Sequence, residues 1–452
     1  MKVILFFLLS QIFLFGYMID FDTALLKSIE MNKGLKAKKL NIDLSKEALT
    51  QAEGYNYGSL VFNENISKTN NAGYVFGMKL SSREATFADF GFNEFDMSGA
   101  TNPLPIAPEN LNYPQSRTNY ETKITYEVPL FTGFKLQNAK KMAKLQILAK
   151  KAQYQYDEKA LGLEVLQAYN GAVTAKEFIK ATKKAKEATD SFVTLAQELF
   201  NEGLVTSIDV KQARVYDMSV DSSIIEANNR FELALAYLRF LTDDKNITDV
   251  LGFKNLDDPF QNMELLQQRA YESRDDFLSM KYNTQTMKTK IDLENSDFFP
   301  IIGAQIEYGY NDDELDNINS EHDYYMGAIG LSYNLFDGFI TTSKKQQAKI
   351  EYKQTQYYYD YMQDGIKLEV EKNLLTFEAK AKILKQKIKA NNLSDEVLEQ
   401  SQELYKNHLI NMSNLLMQQA NQQKSNAQMI LAKYEKSLAA AKLKISLGES
   451  LK

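Results

Sequence analysis

Between about Leu136 and Asn201 the apolar residues Leu161, Val165, Ala168, Ala172, Ala175 and Ile179 step by four and three along one seam, the spacing of a coiled-coil helix. The stretch from Thr341 to Asn407 carries Ile366, Val370, Phe377 and Leu384 at matched places, with Asn373 and Lys380 interrupting the seam. Each run is about 66 residues, which at about 1.5 Å per residue reaches roughly 100 Å, longer than an ordinary globular core. Further helices are predicted at about Phe21–Ala52, Ser207–Leu241, Met263–Asp297 and Asn411–Leu447. The second and third of these sum to roughly one long helix, and so do the fourth and first, so those pairs are expected to stack end to end beside the long helices. Alanines such as Ala227, Ala234, Ala236, Ala439, Ala440 and Ala441 allow close antiparallel packing. An irregular break is expected around Asp257, Asp258 and Pro259.

Period two replaces this pattern in short segments. Tyr120, Thr122, Ile124, Tyr126 and Val128 alternate with Asn119, Glu121, Lys123, Thr125 and Glu127, which makes a strand apolar on one side. Ile302 to Tyr310 and Tyr325 to Tyr333 alternate likewise, and a fourth strand is expected between Tyr55 and Leu80, centred on Tyr74, Phe76, Met78 and Leu80. On pattern alone these strands suit a half-buried soluble sheet or a membrane β-barrel equally. Their length of about ten residues and their terminal tyrosines are those of an outer-membrane barrel. Four strands cannot enclose a lumen, so a barrel would be built from several chains, and a trimer would supply twelve strands.

The chain also repeats itself. LFTGFKLQNAKKMAKLQ from Leu130 matches LFDGFITTSKKQQAKIE from Leu335 at seven of seventeen positions, an offset of 205 residues. The same offset carries Ala196–Val205 onto Ser401–Ile410 and Phe231–Phe240 onto Lys436–Ile445. Spacing held that rigidly implies two tandem copies of one long unit.

Composition narrows the function. Residues 1–16, MKVILFFLLSQIFLFG, read as a secretory signal cut near Gly16 to Met18. No later stretch is long and apolar enough for a spanning helix, so a membrane crossing would have to be a β-barrel. Zero cysteines exclude disulfides, thiolate metal sites and a lipid-anchored cysteine, and only His322 and His408 exist, which excludes a histidine metal cluster, so no metal site is expected. The net charge of −6 is spread along the chain without a basic stripe, so nucleic acid is not an expected partner. No acid/base or nucleophile constellation recurs and there is no phosphate-binding GxxxxGK[ST], so no enzyme activity and no cofactor are expected.

Several landmarks together resemble the TolC-like outer-membrane efflux protein family: VPLFTG at Val128–Gly133, NLFDG at Asn334–Gly338, NEGLVTSIDV at Asn201–Val210, RDDFLSMKYNTQTMK from Arg274 and FFP at Phe298–Pro300. The resemblance covers Asp20 to Ser450, nearly the whole chain beyond the signal. It implies a mainly α fold with a membrane β-barrel, in which long coiled-coil helices form an α-barrel and four strands per chain contribute to a twelve-stranded trimeric β-barrel. Residues 1–17 are then a signal peptide, 18–245 the first repeat, 246–262 an equatorial connection and 263–452 the second repeat, with the barrel strands at about 55–130 and 299–336. The implied partners are two further copies of the chain, outer-membrane lipid, a periplasmic adaptor and an inner-membrane transporter. The implied location is the outer membrane, extending into the periplasm.

Site residues follow partly from type and partly from the resemblance. Gly133 and Gly338 first suggest backbone turns closed to other residues, while the pairs Phe131/Phe134 and Phe336/Phe339 suit anchoring at the inner membrane interface. Gly203, Leu204 and Val205, matched by His408, Leu409 and Ile410, are the expected periplasmic tips. They serve either as plain turns or as adaptor-docking hairpins, and exposed apolar residues after a helix C-cap favour docking. His408 stands where the family has glycine, so the second tip is expected to turn differently. By resemblance Asp209 and Tyr405 belong to the clamp that closes the periplasmic gate. Ile410 stands at the clamp's arginine position, with Lys406 near enough to substitute. The family's acidic ring falls on the uncharged Asn414 and Met417, so a cation-binding ring is not expected there.

Asp312, Asp313, Glu314 and Asp316 make an acidic turn, the Ser82–Ser116 link with Pro103, Pro105 and Pro108 an external cap, and Glu121, Lys123, Glu127, Gln305 and Glu307 a polar lumen face. The expected function is the exit duct of a tripartite efflux pump passing drugs or other small molecules. Type I protein secretion is the alternative use of that architecture, and a periplasmic coiled-coil spacer without a channel is the alternative of another class.

Overall fold

Two helices of 67 residues each are the longest elements of the described residues. The computed structural model describes residues 16–96, 98–100, 102, 104–254, 256, 262–315 and 320–451. The signal segment up to residue 15, the break at Asp257–Pro259, Pro103 and Asp316 lie outside the described residues. In chain order the elements are β1 (Tyr17–Ile19), α1 (Phe21–Met31), α2 (Lys33–Gly54), β2 (Ser59–Thr69), α3 (Ala72–Ser81), α4 (Glu109–Asn112), β3 (Arg117–Thr132) and α5 (Lys135–Asn201). There follow α6 (Ser207–Thr242), β4 (Ile247–Val250), α7 (Met263–Ser273), α8 (Asp275–Asn295), β5 (Ile301–Asp312), β6 (Asp323–Ser332), α9 (Ile340–Lys406) and α10 (Met412–Ser446). They form two units: Met1–Asp43, Leu148–Tyr282 and Gln356–Lys452, and separately Leu44–Ile147 with Asn283–Thr355.

The first unit is helical. The α5 seam is buried at Leu161, Val165, Ala168, Ala172 and Ala175, and the α9 seam at Ile366, Val370 and Phe377. Leu161, Val165, Leu166 and Tyr169 pack with Phe21 and Leu25 of α1 and with Leu235 and Leu238 of α6. Removing apolar surface from water on this scale is what holds such a seam together. The polar interruptions of the α9 seam tie it to α10, since Asn373 donates to the Lys442 carbonyl (3.4 Å) and Lys380 pairs with Glu435 (2.8 Å).

Helix stacking differs from the expectation. Asn32 at the head of α2 donates to the Leu241 carbonyl (3.2 Å) and Lys33 pairs with Asp243 (3.1 Å), so the end of α6 meets α2. The end of α10 meets the head of α8, where the Arg274 guanidinium reaches the Ser446 carbonyl (3.3 Å). The partners are thus exchanged relative to the length argument, because both pairings sum to the same length and only tertiary contacts decide between them. The expected single helix Met263–Asp297 is two, parted at Arg274, whose backbone is extended and whose buried side chain pairs with Asp276 and Glu369. Asn32 divides the N-terminal helix in the same way. A parallel pair of β1 and β4, unexpected from sequence, closes the core with Ile19, Ile247 and Val250.

The second unit is built on a four-stranded antiparallel sheet in the order β2-β3-β5-β6. Its first strand is Ser59–Thr69, while the segment at Tyr74–Leu80 expected to be a strand is α3. Asn71 caps that helix by accepting from the Tyr74 amide, and Val75, off the period-two set, is the buried residue. In Ser59–Thr69 the alternation of Leu60, Phe62 and Ile66 is interrupted by Glu64, which hides the strand from a hydrophobicity count. Where Pro129 lacks an amide to donate, the β3–β5 register shifts between Pro129 and Phe131.

Candidate functional site

Three surfaces concern function: the helical tips, the strand-to-helix corners and the two faces of the sheet. The tips are the loops between α5 and α6 and between α9 and α10. At the first, Gly203 has φ 76°, its amide donates to the Phe200 carbonyl (3.0 Å), and the Leu204 amide donates to Leu199 (2.8 Å). At the second, His408 has φ 60° and donates to Tyr405 (3.0 Å), and Leu409 donates to Leu404 (2.9 Å). Every partner is displaced by the repeat offset of 205 residues, so the two tips turn alike. The expected difference at His408 is therefore absent: the helix C-cap hydrogen bonds hold histidine in the left-handed conformation that glycine adopts freely.

Each tip shows one leucine to solvent. Leu204 is 53% and Leu409 70% exposed, whereas Val205 and Ile410 tuck against a cluster of Phe192, Ala196, Leu199, Val210, Met412 and Leu415. The following helices start with side-chain caps. Thr206 and Asp209 form a reciprocal capping box, and Asn411 accepts from the Asn414 amide (2.9 Å).

Behind the tips, Tyr405 is 2% exposed and its hydroxyl has no hydrogen-bond partner among the described residues. Burial, helped by the nearby Asp209 charge, pushes this phenol up to about 12. Asp209 itself spends Oδ2 on the Thr206 amide (3.0 Å) and hydroxyl (2.8 Å), and Lys406 pairs with Glu403 (2.7 Å). Within one chain these residues lie close without a hydrogen bond joining Asp209 to Tyr405. Asn414 and Met417 are exposed near the head of α10.

At the corners the repeat is again exact in geometry. Gly133 and Phe134 have φ 61° and 70°, and Gly338 and Phe339 both have 68°. The Phe131 and Phe134 rings meet edge to face at 5.4 Å, as Phe336 and Phe339 do at 5.6 Å. The surroundings differ. A Cβ on Gly133 would overlap the Ser296 carbonyl and stand 2.8 Å from Phe299 Cβ, whereas one on Gly338 would meet nothing within 4 Å.

The sheet has one largely apolar face and one polar face. Cross-strand pairing aligns Phe62 with Ile124, Tyr308 and Tyr325, and Leu60 with Tyr126 and Ile306, and all of these side chains are exposed. An apolar face of this kind is unstable in water unless something apolar covers it. On the opposite face Lys123 pairs with Glu121 (3.3 Å) and Glu307 (3.7 Å), Thr125 donates to Glu307 (3.2 Å), and Tyr324 donates to Glu307 (3.0 Å) and Glu121 (3.4 Å). Sequence reasoning placed Glu121, Lys123 and Glu307 on one face, and missed Tyr324 because β6 begins at Asp323, before the expected start of that strand at Tyr325.

Together these features define a tandem-repeat chain with two helical hairpins, matched tips, and one sheet that is largely apolar on one side and polar on the other. The chain belongs to the outer membrane efflux protein family, which matches residues 98–243 and 266–449. It is 24% identical over 214 residues to outer membrane protein TolC of Escherichia coli K12, covering 44% of this chain and 43% of TolC. It is 22% identical over 238 residues to the alkaline protease secretion protein AprF of Pseudomonas aeruginosa, covering 51% of this chain and 49% of AprF. The chain thus spans about half the length of the curated relatives it matches. In fold it is similar to the CusC transmembrane channel, with a TM-score of 0.78 at 13% identity over 96% of this chain and 94% of that one.

Proposed function

We propose that this chain is the outer-membrane exit duct of a tripartite efflux pump, assembled as a homotrimer. The observation that carries this reading is the sheet with one exposed apolar face and one hydrogen-bonded polar face. Lipid would cover the first, and the second would line a lumen completed by two further copies. The tips supply the other requirement. Leu204 and Leu409 are exposed at matched positions, which suits docking of a periplasmic adaptor that delivers substrate from an inner-membrane transporter. Asp209, Tyr405, Asn414 and Met417 sit just behind these tips and would form the periplasmic gate. Since Asp209 is engaged by Thr206 and Lys406 by Glu403, the clamp would form only through partners rearranged in the assembly.

Replacing Leu204 with Glu should abolish efflux while trimers still form. Efflux at the unmodified level in that variant would remove the tips from the docking site. Similarity to AprF, a protease secretion protein by name, favours type I secretion as a second reading. A deletion strain separates the two, by loss of a secreted protein in one case and by increased drug susceptibility with an unchanged secreted profile in the other.

A further inference from the structure

At the end of the sheet remote from the Gly133 corner, the fold gathers three side chains that lie far apart in sequence. Glu84 comes from the cap loop after α3, Asp312 ends β5 and His322 precedes β6. Each offers one ligating atom, and these atoms lie within 4.8 Å of one another. Asp312 is 4% exposed, and its Oδ1 accepts from the Glu314 amide (3.0 Å). Its Oδ2 stands 2.6 Å from His322 Nδ1. That contact lacks the alignment of a hydrogen bond, and among the described residues the enclosed Nδ1 has no other hydrogen-bond partner. This nitrogen faces the same space as the carboxylates.

Charge points the same way. Arg117 reaches Glu84 and Asp313 (3.2 Å for the latter), and Ser82 donates to Glu84 Oε2 (2.7 Å). Glu84 and Asp313 share the one guanidinium of Arg117. Arg117 and Ser82 both bond Glu84 Oε2, which leaves Oε1 for a ligand and gives the carboxylate the outer support usual at metal sites. Two carboxylates and one imidazole form a donor set suited to zinc, with water in the fourth position. Donors of a tetrahedral zinc stand roughly 3.3 Å apart, within side-chain adjustment of the present spacing.

We propose that Glu84, Asp312 and His322 bind a zinc-type divalent cation that staples the cap loop to the β5–β6 hairpin. Composition predicts no metal site, and this cluster departs from that expectation. One histidine with two carboxylates from distant segments is invisible to spacing rules.

The test is calorimetric titration of zinc into the full chain, purified in detergent and stripped with chelator, beside the variants His322→Gln and Glu84→Gln. About one zinc per chain, with binding weakened at least tenfold in both variants, is expected. Zinc should also slow tryptic cleavage after the exposed Arg83 of the unaltered protein. Glu84 lies outside the strands, so its variant keeps the test decisive if His322→Gln fails to fold. No zinc uptake by the unaltered protein, or equal uptake by the folded variants, would overturn the proposal.

Discussion

Gly133 and Gly338 occupy equivalent corners, yet their neighbourhoods predict different tolerance. Gly338→Ala should cost only the left-handed backbone conformation, about 1–2 kcal/mol. Gly133→Ala should add overpacking against Ser296 and Phe299 of about 1–3 kcal/mol more. Urea unfolding of the two variants side by side checks the ordering, and equal losses would contradict it. At the tips the sign reverses. His408 holds φ 60° without glycine's freedom, so His408→Gly should gain about 1 kcal/mol locally, read as slower amide exchange over the second tip. Gly203 was legible from its identity. His408 was not, because residue type hides its backbone angle, and only the repeat offset reveals that it must turn as Gly203 does.

The long helices were legible to within a residue or two, since a seam repeated over many turns leaves little choice of period. The strand at Ser59–Thr69 was not, because Glu64 interrupts its apolar face while the neighbouring segment mimics alternation until Asn71 caps it into a helix. The exchanged stacking of α6 with α2 and of α10 with α8 was equally hidden, since summed lengths are degenerate.

At this scale the sheet predicts that Ile124→Asp, which puts a charge on the apolar face, should block membrane assembly. The cost reaches about 2–4 kcal/mol at the midplane for the costliest residues and less for Asp. Unaltered assembly on a density gradient would show that this face does not meet lipid.

The α5–α6 hairpin carries a pH dependence of its own. Burial alone would raise Asp217, but hydrogen bonds from Lys186 (2.6 Å) and Thr189 (2.7 Å) outweigh it and hold the carboxyl below its ordinary value. Lys186 is raised, first by its bond to Asp217. A depressed carboxyl contributes stability that is present above its ordinary value near about 4 and lost as pH falls below it. A raised lysine contributes stability that is present below about 10.4 and lost above it. The opening free energy of amides over residues 186–221, taken from exchange corrected for its intrinsic pH dependence, should therefore be level between about pH 5 and 9 and fall below about pH 4. A change centred near neutrality would contradict this assignment.

For the whole molecule, the repeat supplies two hairpins and two strand pairs per chain, and the four-stranded sheet leaves two open edges, at β2 and β6. Open edges and an uncovered apolar face are both hazards for a chain alone in water. Further copies closing edge to edge would remove the first, and lipid the second, so trimer formation and membrane insertion should fail together. The most direct measurement is to express the full chain in a bacterium with two membranes, separate those membranes by density and size the detergent-extracted protein. The duct account predicts a species of three chains in the outer-membrane fraction. A monomer or dimer released from the periplasm without detergent would contradict it.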